Sequence, residues 1–559
     1  MQNQQDLAAR SAAHVKSLDA VIVGAGFAGM YALYRLRDLG IRVKCFEGAR
    51  GVGGTWWWNR YPGARVDFPS APYYGYSFSK ELIDEFDWQE RQPSQEEVLR
   101  YLNFAADKLD VRKDIQFETW IEHAEFDEQT NRWEIKTHTG ERYSTQFLIS
   151  AMGSLSDANK PPIPGIDDFT GQIVHTGQWP EEGVDFAGKR VAVIGTGSSG
   201  IQSIPEIAAQ AAHLTVLQRT PQYSIPAGNR PVHQSELDDA RENWPARKDF
   251  MDVSPGGMPY PLPTKSALDD PPEVRTALYE KMWNEGSGLH LMYNVYTDLL
   301  TNKEANDTLA EFIRGKIKEI VKDPETARKL LPDYLLGTKR QVIDCGYYET
   351  FNRDNVNLVD LREDPIEKFT ANSVITKNGE HPIDILVLAT GFDAITGKLL
   401  KLNPVGRNGL DLSTAWEEKF YTYLGVAIPG FPNLFMIHGP QSPCVLFNMP
   451  LGGERLSEWI FGCIQHMREN DISCIEAAEG SDEAWAEDVD NAAKRTLFHG
   501  TDSWYSGANI EGKHRQFIVH TGGQKFFARI KEVADSGYEG FVFDTESAAP
   551  QKQPASTRS

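Results

Sequence analysis

The sequence predicts an α/β protein with two separate strand–helix–strand units, the second interrupted by an inserted helical lobe. Three observations carry this expectation. From Asp19 the chain reads DAVIVGAGFAGMYALYRLRDLGIRVKCFEGA, a short apolar run, a glycine turn, an amphipathic stretch ending at Gly40 and a second apolar run, which is the grammar of a βαβ unit. The same grammar returns at residues 189–221, KRVAVIGTGSSGIQSIPEIAAQAAHLTVLQRTP. Between about residues 222 and 335 the character changes, first to Pro and Gly (SPGGMPYPLP) and then to helical spacing. At 559 residues the chain exceeds what one hydrophobic core serves, so two or three packed units are expected.

Taken in order, the first unit is followed at residues 131–149 by NRWEIKTHTGERYSTQFLI, where Trp133, Ile135 and Thr137 alternate at period two ahead of a Thr-Gly turn and a return run; this predicts a hairpin leading into SAMG. In the insertion, Leu309, Phe312, Ile313, Ile317, Ile320 and Val321 recur at helical spacing, and Asp323-Pro324 offers a cap and a first-turn residue for the next helix. A further strand end, DILVLATG at residues 384–391, places small residues where backbone can approach a ligand closely. The expected division is a discontinuous first domain of residues 1–150 and 385–546, a second domain of residues 151–221 and 336–384, the helical insertion at 222–335, and a small, polar, Pro-bearing disordered tail at 547–559.

Composition narrows the function classes. The formal net charge of -22 and pI near 5.1 oppose attraction to nucleic acid or anionic lipid, so an anionic ligand needs a local basic pocket. Cys45, Cys345, Cys444, Cys463 and Cys474 form no CxxC pair, which speaks against a disulfide framework, a metal site or a dithiol redox centre and for a reducing cytoplasm. The first 20 residues hold no signal-peptide core, and no run of 18 apolar residues occurs, so no membrane span is expected. Nothing in the sequence sets an oligomeric state.

The glycines carry the chemistry. Gly24, Gly26 and Gly29 form a GxGxxG set that turns tightly from strand to helix and lets amides face a pyrophosphate. Glu47 follows at the next strand end, where a carboxylate accepts hydrogen bonds from both ribose hydroxyls. Gly195, Gly197 and Gly200 repeat the set, yet the same offset lands on Gln218 with Arg219 and Thr220 after it. A neutral residue beside a guanidinium accepts a 2′-phosphate that a carboxylate would repel. Two Rossmann-like dinucleotide-binding domains are therefore expected, one for a dinucleotide with a free ribose and one for NADP, the pairing of a flavoprotein fed by NADPH. The first cofactor is then FAD. Without a cysteine pair to relay electrons, the remaining outlet for reduced flavin is molecular oxygen or a small acceptor.

Between the cradles, residues 169–180 read FTGQIVHTGQWP, an FxGxxxHxxxWP string on Phe169, Gly171, His175, Trp179 and Pro180. GGTWWWNRYPGARVD matches GGxWxxxxYPGxxxD through Gly53, Gly54, Trp56, Tyr61, Pro62, Gly63 and Asp67. With KRQVIDCGYYETFNRDNV and WYSGANIEGK, the chain resembles the type I Baeyer–Villiger monooxygenases over nearly its whole length. The resemblance implies that Arg340 is an active-site arginine beside the flavin and that Asp67 is its carboxylate partner, a fixed guanidinium that stabilises a flavin peroxide anion and the tetrahedral adduct it forms with a ketone. It implies a flavin site that adds Phe27, Ala28, Gly54, Thr55, Trp56, Asp67, Tyr73, Ile121 and Met449 to the cradle and Glu47. The nicotinamide site would add Arg65, Thr196, Ser198, Ser199, Gln202, Lys339, Arg340 and Trp504 to the second cradle, Arg219 and Thr220. Cys444, Val445, Leu446 and Phe447 would line an apolar substrate pocket, and His175 would serve the linker between the nucleotide domains rather than act as a base.

The implied reaction takes NADPH, oxygen and a small apolar linear or cyclic ketone to an ester or lactone and water, with oxidised NADP retained to shield the intermediate and domain rotation between hydride transfer and oxygenation. A heteroatom oxygenase acting on amines or sulfides, and a non-catalytic flavin-binding redox sensor, are the alternatives.

Overall fold

The computed structural model describes residues 15–286 and 288–545, so the tail expected at 547–559 lies outside the described residues. The first apolar run forms β1 (Lys16–Val23), which connects through α1 (Phe27–Asp38) to β2 (Val43–Phe46), paired with β1 in parallel. β2 continues to β3 (Ile115–Gln116). On its other side β1 pairs in parallel with the last arm of an antiparallel ribbon of β4 (Ile121–Asp127), β5 (Arg132–Thr137) and β6 (Arg142–Ser150). The ribbon contains the expected hairpin: Trp133, Ile135 and Thr137 are all buried on one face, and Gly140 turns the chain at φ +85, a conformation open to glycine at no steric cost.

The second unit comprises β7 (Gln172–His175), β8 (Arg190–Ile194), α2 (Ser198–Gln210) and β9 (His213–Gln218). The insertion then opens with β10 (Ser224–Pro226) and contains α3 (His290–Tyr293) and α4 (Lys303–Ile320), after which β11 (Val342–Asp344) returns to pair with β10 in parallel. Thus the insertion is not wholly helical. Its residues Ser224–Pro226 supply a strand because the chain must leave β9 alongside the segment that comes back. In α4, Leu309, Ile313 and Ile317 are buried in the core of the second unit, while Asp323 accepts from the Thr326 amide at 2.7 Å to start the next helix. Trp244 and Met251, also from the insertion, are buried in the core of the first unit, so the lobe bridges both.

β12 (Val356–Asp360) and β13 (Ile385–Leu388) complete an all-parallel sheet in the order β12-β9-β8-β13-β7. This corrects the boundary expected at residue 385: Ile385–Leu388 belongs to the second sheet, between β8 and β7. All four of its residues are buried, and an apolar strand covered on both faces carries no local mark of which parallel sheet it enters. The chain rejoins the first sheet at β14 (Leu434–Met436), paired with β6. It then forms α5 (Met449–Glu469), tied to α1 where Tyr31 Oη and Arg35 Nε donate to Glu458 at 2.6 and 2.7 Å.

The two units are stitched along the GGxWxxxxYPGxxxD segment. The Trp179 amide donates to the Trp58 carbonyl at 3.2 Å, Tyr61 Oη to Gln202 Oε1 at 2.8 Å, and Gln202 Nε2 to the Arg65 carbonyl at 3.2 Å. Among the described residues no helix is long and apolar enough to cross a membrane.

Candidate active site

At the end of β1, Gly24 adopts φ +105, and a Cβ there would stand 2.6 Å from the Ala151 carbonyl oxygen; a Cβ on Gly29 would meet the Gly24 carbonyl oxygen at 1.8 Å. Both positions are closed to any side chain. Gly26 precedes α1 without a side-chain cap, and the first turn holds no acidic residue, so its amides and the positive end of the helix dipole remain open to an anion. Beyond β2, the buried Glu47 accepts from the Ala25 amide at 2.7 Å and the Ala49 amide at 2.8 Å. Burial pushes its carboxyl above the ordinary range, and those amides pull it back. Beside it Lys398 stands 4.6 Å from the centre of the Trp120 ring.

The second cradle repeats the turn. Gly195 is at φ +105 with a would-be Cβ 2.4 Å from the Ala389 carbonyl oxygen, and a Cβ on Gly200 would lie 2.2 Å from the Gly195 carbonyl oxygen. A Cβ on Gly197 would meet nothing within 4 Å, which leaves room for a phosphate over the uncapped start of α2. Gln218 is buried and turned away, its Nε2 donating to the Lys329 carbonyl at 2.8 Å, while Arg219 is exposed at the rim. Lys339 donates to the Asp502 carbonyl at 2.6 Å and lies 5.3 Å from the Tyr334 ring centre. Burial, and then the neighbouring Arg219 charge, lower its pKa. Two cations held so close favour an anion between them.

Both cradles open into one cavity of about 1840 Å³, whose wall includes Asp67 and Arg340. Arg340 Nε donates to Asp67 Oδ2 at 2.8 Å, Nη2 to Oδ1 at 2.9 Å, and Nη1 to the Val445 carbonyl at 2.7 Å. A guanidinium has five N–H groups, so two remain, with the Tyr505 phenol buried alongside. Burial opposes the Arg340 charge, and Asp67 more than offsets it, so the guanidinium stays charged well above its ordinary range.

The same wall contains Phe27, Ala28, Glu47, Gly54, Thr55, Trp56, Ile121 and Met449 on the first side, and Arg65, Thr196, Ser198, Ser199, Gln202, Arg219, Thr220, Lys339 and Trp504 on the second. Val445, Leu446 and Phe447 line it as well. Four assigned residues do not. Gly29 and Gly200 sit behind the turns, where they let helix meet strand. Tyr73 stacks on Trp244 at 6.1 Å and 13° in the core, and its neighbour Tyr74 takes the place on the wall. Cys444 is buried, and burial pushes its thiol up to about 11, so it is an inert packing residue rather than part of the pocket. The sequence reading missed Trp120 and Lys398 on the first side, and Tyr260, Met292 and Tyr293 from the insertion. Only the aromatic residues of HLMYNVY hinted at Met292 and Tyr293, and Tyr260 lies in the Pro- and Gly-rich SPGGMPYPLP, which carries no such mark.

His175 behaves as a structural residue. It is buried, its Nδ1 accepts from the Gly177 amide at 2.9 Å, and burial lowers its pKa to about 4, so the ring is neutral at pH 7.

Residues 18–226 match the family of flavin-binding monooxygenase-like proteins. The chain is 42% identical to phenazine N-monooxygenase PhzNO1 of Lysobacter antibioticus, over 95% of this chain and 98% of that protein. It is 41% identical to cyclohexanone 1,2-monooxygenase of an Acinetobacter species, over 96% and 98% respectively. Among solved structures, an oxidised steroid monooxygenase bound to NADP is 46% identical and superposes with a TM-score of 0.89, covering 94% of this chain and 99% of that one. Similarity of this extent, over a fold with two dinucleotide cradles and a shared cavity, makes the chain a member of the type I Baeyer–Villiger monooxygenase family of flavin-binding monooxygenases.

Proposed function

We propose that this protein oxidises ketones to esters or lactones with NADPH and molecular oxygen, with FAD as its resident cofactor. The observation that carries the reading is the Arg340–Asp67 pair in the single cavity that both glycine cradles enter. Relatives named for ketone oxidation, the cyclohexanone enzyme among them, support it. The uncapped α1 and the buried Glu47 fit the pyrophosphate and adenine ribose of FAD, and Gly197, Arg219 and Lys339 fit the phosphates of NADPH.

Bound there, FAD would supply the hydride acceptor for NADPH and the centre that activates oxygen. The chain's own residues do the rest. Arg340 lies on the wall of the cavity, where its guanidinium would meet the negative charge that develops on oxygen as the ketone carbon becomes tetrahedral, and a preorganised donor of this kind lowers that barrier. Asp67 grips the guanidinium at two points and fixes its plane. Val445, Leu446, Phe447 and Trp504 place apolar surface around the reacting carbonyl and keep water from it. All five cysteines are free, which supports a cytoplasmic location.

The similarity to a phenazine N-monooxygenase favours a second reading, oxygenation of a heteroatom. Incubating the FAD-loaded protein with NADPH, air and graded sets of ketones, amines, N-heteroaromatics and sulfides, with products identified by mass spectrometry, separates the two. Esters or lactones are the expected products. Exclusive formation of N- or S-oxides would replace the ketone reading, and a complete lack of substrate-stimulated oxygen uptake would favour a redox sensor.

A further inference from the structure

The inserted lobe brings one short helix, α3, against both halves of the ion pair. A Cβ on Gly288, just ahead of α3, would lie 3.2 Å from Ile343, three residues beyond Arg340, and 3.7 Å from the Asp67 carbonyl oxygen. His290 packs edge-on against Phe68 with ring centres 4.7 Å apart. Met292 packs beneath Gly337, where a Cβ would stand 2.5 Å from its Sδ. The helix is thus wedged between the segment that carries Asp67 and the segment that carries Arg340.

Its last residue, Tyr293, lies on the cavity wall with them, and its hydroxyl has no hydrogen-bond partner among the described residues. Asn294 follows on the same wall. Its Nδ2 donates to the Pro261 carbonyl at 3.0 Å, but its buried Oδ1 is also without a partner among the described residues. A polar group on such a wall is normally bonded to something. Of the two, only the Tyr293 phenol can donate, and beside a guanidinium with N–H groups to spare it marks a place for an oxygen-bearing ligand.

We propose that Tyr293 is a second donor to the substrate's carbonyl oxygen, acting beside Arg340. The inference rests on the ketone reading above. The phenol keeps its proton: burial raises its pKa, with Arg340 and Asp67 pulling in opposite directions, so it is a donor throughout the neutral range. No bond to hydrogen breaks. The hydrogen bond tightens as the carbonyl oxygen becomes anionic, which is the condition for lowering the barrier rather than merely binding the ketone. A thioether or tertiary amine has no carbonyl oxygen to receive it, so the contribution is confined to ketones.

Tyr293→Phe removes one oxygen atom and leaves the ring in place, which makes it the test. Ester formation should fall about 100- to 1,000-fold, the scale of losing one donor to an oxyanion, with more NADPH consumed without product. The loss should fall on ester formation rather than on anaerobic flavin reduction by NADPH, measured by stopped flow, or on any sulfide oxidation. In the parent, the infrared band of a ¹³C-labelled ketone carbonyl should be shifted to lower frequency on binding, and less so in the variant. Ester formation within twofold of the parent, equal losses in both half-reactions, or loss of FAD from the variant would each overturn the proposal. A parent protein that turns over only heteroatom substrates would instead sink the ketone reading, and this inference with it.

Discussion

The two glycine cradles start alike and finish differently. Gly24 and Gly195 share φ +105, and Gly29 and Gly200 are each held against the carbonyl oxygen of the first glycine. These are demands of turning from a parallel strand into a helix, whatever the ligand. The difference lies in the facing wall. A Cβ on Gly26 would be 3.4 Å from the Gly54 Cα, whereas one on Gly197 would meet nothing within 4 Å. The first cradle ends on a buried carboxylate satisfied by two amides, the second on an exposed arginine with a lysine beside it. A site closed by protein suits a cofactor that stays, and an open, cationic one suits a cofactor that arrives reduced and leaves oxidised.

The largest effect should come from filling the turns. Gly24→Val should leave the chain without FAD and without activity, because both the φ and the 2.6 Å approach to Ala151 exclude a side chain. Gly195→Val should keep FAD, read by absorbance, and lose reduction by NADPH; joint loss of both cofactors in either variant would break the idea of independent cradles. At the meeting point of the two, Arg340→Ala should lower ester formation by about 10³-fold or more, well beyond its effect on flavin reduction. Ester yield equal to the parent's would remove the arginine from the chemistry.

Smaller effects sharpen the contrast in charge. Arg219→Ala should raise the KM for NADPH about 10- to 100-fold and hardly change that for NADH, since it deletes a charge-assisted contact to the 2′-phosphate. Equal losses would place that phosphate elsewhere. Glu47→Gln should weaken FAD binding about 5- to 10-fold by removing an ionised acceptor, with no change in the preference between NADPH and NADH; an unaltered FAD affinity would show that Glu47 serves only the Ala25 and Ala49 amides.

A last effect, on stability rather than on binding or catalysis, is its dependence on pH. His175 beside the second cradle and His438, which packs behind the first against Gly453, are both buried and lowered to about 4. The unfolded chain takes up their protons near pH 6.5 and the folded chain does not until about pH 4, so their stabilisation is complete above 6.5 and declines as pH falls. Each should contribute a slope of about 1.4 kcal/mol per pH unit between those values. Urea midpoints that do not change between pH 7 and pH 5 would contradict this.

Much of the fold was legible because its cues are local. Strand, turn and helix follow within some 30 residues in each unit, and glycine spacing, apolar runs and the residue closing the second strand all lie inside that span. The hairpin of Trp133, Ile135 and Thr137, and the cap at Asp323, are local in the same sense. Tyr73 and Cys444 show where this stops: each adjoins a residue on the cavity wall, and which neighbour faces inward depends on how the chain is held from outside the segment. Strand Ile385–Leu388 shows it at larger scale, since either parallel sheet would accept it.

By itself, then, the sequence determined the two cradles and their opposite charges, because steric demand at a turn and charge at a strand end are properties of short segments; Arg340 and Asp67 were pointed to only by the family resemblance. Only the tertiary structure decided that both cradles open into one cavity, that Asp67 meets Arg340 across 273 positions of chain, and that the inserted lobe sets Tyr293 beside them. Those contacts depend on how sheets and lobe pack, and packing is fixed by the cores they share rather than by any single stretch of sequence.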